Sequence, residues 1–195
     1  MWIRTNEQEE AIAALEAFAR FLPLAKVNPL EWRWPILSLH TALQGFMVIA
    51  IRDSAGLSPL PDDLAAEWLQ AYRCGVPRPE ERLDKFLNLY KKIKRSNVAA
   101  LVQGRPFTPS GTQGYSVKLL NRLRNQFVHF LPASWSLEVT GLPRMCLDCI
   151  VVIGYLARDY HDLLWREQTY VQRVDAAIGS AKPILQALKR EYEGI

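Results

Sequence analysis

Apolar residues recur along most of the chain at the three-to-four-residue spacing of amphipathic helices, and no stretch alternates at the period of a strand. The spacing predicts a first helix from about Asn6 to Phe21, with Ile12, Leu15, Phe18 and Phe21 along one face. Pro23 and Pro29 are expected to break the chain. A second helix should begin after Pro35 and carry Leu39, Leu43, Phe46, Met47 and Ile51. Beyond a turn at Gly56 to Pro61, the pair Asp62-Asp63 suits the positive start of a short helix reaching about Tyr72. Pro79-Glu80-Glu81 should open a long helix to about Leu101, striped by Leu83, Phe86, Tyr90 and Ile93.

Gly104 to Gly114 reads as a long loop, rich in Gly, Pro and hydroxyl residues, acting as a lid or as a plain connector. A helix from Ser116 to Leu131 should bury Leu119, Leu120, Leu123, Phe127, Phe130 and Leu131. Pro143 then introduces an apolar helix to about Trp165. A last helix reaches about Tyr192, interrupted or kinked near Gly179 to Pro183. The expected architecture is an all-α bundle forming one domain over residues 1–195.

Composition narrows the classes. Half the residues are hydrophobic and about a quarter charged, as in ordinary globular proteins. By inspection no apolar run reaches the ~18 residues that span a bilayer, and the opening decapeptide turns acidic where a secretory signal would be apolar. The expectation is a cytoplasmic protein with no membrane partner. Cys146 and Cys149 form a lone C-x-x-C, but they lie in the apolar run Met145 to Ile153, where cysteine serves as a small hydrophobe. With Cys74 and three scattered histidines as the remaining candidates, no metal site and no cofactor are expected. A net charge of +4 is compatible with an anionic partner such as RNA.

The sequence Arg124-Asn125-Gln126-Phe127-Val128-His129 carries the candidate chemistry. On a helix, Lys118, Asn121, Arg122, Asn125, Gln126 and His129 fall opposite the buried face, with Asn125 and His129 one turn apart. Arg124 projects from the side, its long stem able to swing toward His129. Val128 is the one apolar residue on the polar side and hints at a covering surface. Histidine exchanges protons near neutrality, and a guanidinium presents a planar fork of donors to phosphate oxygens. Asparagine can orient the imidazole or bond a phosphate. Lys91, Lys92, Lys94 and Arg95 crowd near the C-terminal half of the helix expected from Pro79 to about Leu101 and, with Arg122 and Lys118, are candidate contacts to an RNA backbone; a solvated helix face is the plainer account of that cluster. His40 reads as a hydrogen-bonded core or interface residue, and the spacing of Arg33 to His40 as accidental. His161 is expected to sit near a negative helix end.

Arg124-Asn125-x-x-x-His129, preceded by Leu119-Leu120-Asn121-Arg122-Leu123 and followed by Phe130-x-Pro132-x-x-Trp135-Ser136, resembles the signature of the HEPN superfamily, over about 25 residues. The resemblance implies an up-and-down helical bundle with flanking helices, commonly a homodimer with both motifs facing one cleft. Many such proteins are metal-independent endoribonucleases of toxin–antitoxin or defence systems, which would add an antitoxin protein as partner. Others are non-catalytic binding modules. It assigns Arg124, Asn125 and His129 the catalytic roles. Many relatives carry a glutamate where this chain has Gln44, so a role requiring that acid does not transfer.

Overall fold

The computed structural model describes residues 2–129 and 136–194, and among them the regular structure is helical, with no strand. Helix α1 spans Glu7–Val27; its Asn6 cap accepts hydrogen bonds from the Gln8 and Glu9 N–H groups at 2.9 Å, supplying partners the first turn lacks. A 3-10 turn over Pro29–Trp32 leads into α2, Arg33–Ile51. Then follow α3, Asp62–Cys74, α4, Phe86–Lys92, α5, Ser96–Leu101, α6, Gln113–Val128, α7, Leu142–Arg158, and α8, Thr169–Glu193.

Helix α2 is the hub, packing against α1, α4, α5, α6 and α7. Leu39, Leu43, Met47 and Ala50 are completely buried on it. By length and composition the stretch Pro29–Ile51 would suffice to cross a membrane, which inspection of the sequence did not register. Here its apolar surface is consumed largely by neighbouring helices, as a core helix requires. The tightest crossing is at Gly45, where an added Cβ would lie 2.7 Å from the Ala11 Cβ and 3.2 Å from its Cα. Helix α8 closes the far side of α1: the Arg173 guanidinium is forked between Glu9 and Glu16, at 2.7–2.9 Å. Trp32 Nε1 donates to Tyr192 Oη at 3.2 Å, anchoring the end of α8 to the start of α2.

Three expectations are corrected. Pro23 and Pro183 lie inside α1 and α8, which continue through them. Burial of Leu22, Ala25, Ala181 and Leu185 on either side outweighs the hydrogen bond each proline removes. The long helix expected from Pro79 to Leu101 is instead an irregular segment followed by α4 and α5. Leu83, assigned to the apolar stripe, is 44% exposed, while Asp84 turns inward. The Asp84 N–H donates to Pro59 O across the neighbouring turn, and Lys85 is extended.

The loop after Gly104 is pinned rather than free. Arg105 N–H donates to Tyr160 O at 2.6 Å, Phe107 N–H to Ile93 O at 2.9 Å, and Tyr155 Oη to Arg105 O at 2.9 Å. Asp148 on α7 accepts hydroxyl bonds from Thr112 and Ser116, at 2.7 and 2.6 Å, fixing the start of α6. Cys146 and Cys149 are fully buried and unpaired in the core, and burial pushes both thiols up.

Candidate functional site

Helix α6 is amphipathic in the sense its sequence requires: Val117, Leu120 and Leu123 are buried against α2 and α7. Its outward stripe brings Asn121, Arg124 and Asn125 to one side, one helical turn apart. That side faces α2 and α4, and the three helices enclose a cleft of about 560 Å3. Helix α2 contributes His40 and Gln44, themselves four residues apart, and α4 contributes Asn88 and Lys91. Phe86 and Asp84 form part of the floor.

Cations and side-chain amides line the cleft together. Arg124 Nη1 donates to Asn125 Oδ1 at 3.0 Å, which holds the guanidinium beside the amide. His40 is 4% exposed and stacks on Phe86, with ring centroids 4.0 Å apart. Its Nε2 lies 3.3 Å from Asn121 Oδ1. Burial depresses the His40 pKa to about 4; the Asn121 bond opposes this shift and the Arg124 charge adds to it. His40 is therefore neutral at physiological pH, and its Nε2–H tautomer donates to Asn121. Gln44, where a glutamate was the family expectation, lies in the same cleft.

His129 occupies a different position from Arg124. It caps α6, its N–H donating to Asn125 O at 2.9 Å, and it turns the backbone off the helix at φ −116°, ψ 51°. Its imidazole is exposed and does not line the cleft. Val128 beside it is 42% exposed. Phe127 is half-buried, with the Arg33 guanidinium 5.8 Å from its ring centroid. The expectations for Phe130, Leu131, Pro132 and Trp135 fall outside the described residues.

The predicted basic contacts separate into four environments. Lys91 stands at the cleft edge, and Lys94 is close enough to Lys91 and Lys118 that their repulsion, after burial, holds its pKa below the usual lysine range. The Lys94 ammonium also sits 4.4 Å from the centroid of the Tyr90 ring. Arg122 lines a different groove, of about 530 Å3 between α6 and α7, with Tyr115, Gln126 and Arg144. Arg95 pairs with Asp62 at 2.7 Å. Lys92 is a correction: only 2% exposed, it is bound to Asp84 at 3.2 Å, to Asp62 at 3.0 Å and to the carbonyls of Ser58 and Leu60. An ammonium so enclosed is a structural clamp and cannot reach a phosphate.

His161 follows the C-terminus of α7, and its buried Nε2 has no hydrogen-bond partner. Among the described residues no three metal-ligating side chains come together. The loop after Gly104 contributes nothing to the lining of the Arg124 cleft. Of the residues singled out in the sequence on α6, Arg124 and Asn125 share this cleft and His129 does not; His40 is the buried, hydrogen-bonded residue it was expected to be, and Asn88 was not singled out. The signal present for α2 was the His40–Gln44 pair, two polar residues one turn apart on a mostly apolar helix. No family model, curated protein or solved structure matches the chain.

Proposed function

We propose that this protein is a metal-independent endoribonuclease of the HEPN type, acting on single-stranded RNA in the cytoplasm. The observation that supports it is the placement of Arg124 and Asn125 at the mouth of an open cleft, with Lys91 on the facing helix. Two cations across a gap of this size suit a phosphodiester backbone, and a bound phosphate would be met by the charged fork of Arg124. The 2′-hydroxyl is an internal nucleophile already close to phosphorus, so positioning and charge stabilisation account for much of the acceleration.

In the proposed reaction the 2′-oxygen attacks phosphorus while its proton passes to a base. The P–O5′ bond breaks and the departing 5′-oxygen takes a proton from an acid. The products are a 2′,3′-cyclic phosphate and a 5′-hydroxyl. Arg124 stabilises the charge on the non-bridging oxygens, and a proton transfer is assigned to the His129 imidazole, which is exposed outside the lining of the cleft and reaches the RNA from beside it. Val128, exposed beside His129, fits a homodimer in which a second copy covers this edge. In a toxin setting an antitoxin would cover the same edge.

The test is cleavage of a fluorescent single-stranded RNA in EDTA by wild type, Arg124→Ala and His129→Ala, with end-group analysis. A loss of about a hundredfold or more in each variant is expected. Equal rates in wild type and His129→Ala would remove His129 from the mechanism. The second reading, a non-catalytic RNA-binding module of the same type, is favoured by one observation: His129 lies off the lining that Arg124 and Asn125 share. RNA binding lost in Arg124→Ala, with no turnover in wild type, would select it.

A further inference from the structure

Phosphate-binding surfaces are built from cations, whereas here four carboxamides from three helices, Gln44, Asn88, Asn121 and Asn125, line the same cleft as Lys85, Lys91 and Arg124. Amides carry hydrogen-bonding groups without charge, which is what reads the edge of an unstacked base. We infer that the cleft is a nucleobase pocket: it accepts one unpaired base between α2, α4 and α6, and its amides bond the base edge while Arg124 and Lys91 hold the flanking phosphates. This rests on the reading of the site as an RNA site and specifies what enters it.

The internal hydrogen bonds fix which amide groups remain for a ligand. Asn121 spends its oxygen on His40, and Asn125 spends its oxygen on Arg124. Each therefore offers its Nδ2–H groups. Asn88 spends its nitrogen on Asp84 and keeps its oxygen. Gln44 makes no internal side-chain bond among the described residues. Donors from Asn121 and Asn125 favour a base with exocyclic carbonyl oxygens. Uracil meets both donors with O4 and O2 and offers N3–H to the Asn88 oxygen, whereas adenine, with its amino donor and one adjacent ring-nitrogen acceptor, leaves one of the two donors unpaired. The His40 ring, stacked on Phe86 and in contact with Asn121, is the residue that positions the Asn121 amide. The Asp84 carboxylate, which would repel phosphate, is tied to Lys92 and Asn88 beneath. A volume of about 560 Å3 leaves room for a base and its sugar.

The decisive measurement is binding of deoxy hexamers, which lack the 2′-hydroxyl and cannot be cleaved: deoxyuridine, deoxyadenosine and abasic forms, followed by fluorescence anisotropy at fixed salt. Wild type should bind the deoxyuridine hexamer about tenfold more tightly than either of the others, the worth of one to two hydrogen bonds. Asn121→Leu should close that gap without changing affinity for the abasic hexamer, and Gln44→Leu serves as an independent variant on another helix. Arg124→Gln should weaken all three about equally and reduce the salt dependence by about one phosphate. Equal affinity of wild type for the three hexamers would overturn the base pocket and leave the nuclease reading in place. Survival of the gap in both folded leucine variants would do the same. If none of the hexamers binds, both readings fall. If the deoxyuridine hexamer is preferred but RNA is never cleaved, the pocket stands and only the catalytic reading is lost.

Discussion

Replacing Lys92 with methionine tests whether α4 is held in place by a buried ion pair. The side chains are similar in length, so packing is largely kept while the ammonium disappears. Asp84, 7% exposed, loses a cation at 3.2 Å, and the Ser58 and Leu60 carbonyls lose their donor. Removing one partner of a buried pair costs about 3–5 kcal/mol, because the other charge is left enclosed and uncompensated. Asp62 adds little, since it is largely solvated. Against a total stability of about 5–15 kcal/mol this is a severe loss. With a urea slope of about 2 kcal/mol per molar, the midpoint should fall by about 2 M.

The pH dependence supplies a second check. Burial raises the Asp84 pKa, but hydrogen bonds from Asn88 and the Lys85 N–H, together with Lys92, outweigh it and hold the carboxyl below its usual range. In wild type the stabilisation from Asp84 is thus present above its unfolded value of about 3.9 and is lost only as pH falls through the lower folded value. In Lys92→Met burial gains weight, and protonation relieves the stranded charge at higher pH. The stability gap between the proteins should therefore narrow as pH drops from 7 toward 4. Urea melts followed by circular dichroism measure it. A gap under about 1 kcal/mol at pH 7, or one that widens on acidification, would refute the clamp.

His40 gives the opposite chemistry the same sign: its folded pKa of about 4 lies below the unfolded 6.5, so stability is full above 6.5 and falls by about 3 kcal/mol as pH approaches 4. His40→Gln should flatten that part of a pH–stability profile. Gly45→Ala should destabilise by about 1–3 kcal/mol in thermal or urea melts, since the added carbon meets Ala11 at 2.7 Å and α1 must move away. In the native protein a thiol-reactive dye should label Cys74 rapidly while Cys146 and Cys149 react only on unfolding, because burial keeps both protonated. Mass spectrometry of the labelled peptides distinguishes the sites.

The sequence made the helices legible where periodicity and burial agree, as in α2, α6 and the start of α7, which ends at Arg158 and not near Trp165 as its apolar spacing suggested, and Asn6 marked the start of α1. Prolines misled because their local penalty is visible in the chain and the compensating burial of Leu22 or Leu185 is not. The segment before α4 misled for a related reason. Leu83, Phe86, Tyr90 and Ile93 keep helical spacing, but Asp84 must face inward to meet Lys92, and that partnership depends on the distant turn at Ser58 and Leu60. The candidate site divides in the same way. Its α6 residues share one stripe and could be read together. His40 and Asn121 meet only across two helices, and their 3.3 Å contact has no counterpart in local spacing.

The close crossing at Gly45 has a mechanical consequence for the cleft. Gln44 is its immediate neighbour, so the wall presenting that amide is backed by main chain resting on the Ala11 methyl and backbone, with no flexible side chain between. Such a wall cannot yield inward without pushing α1 against Arg173 and α8. The cleft should therefore deform by movement of the short α4, whose two turns are held by the Lys92 ammonium and by buried Phe86, Leu89 and Tyr90, and hydrogen exchange should be slower along the longer, more deeply buried α2 than along α4.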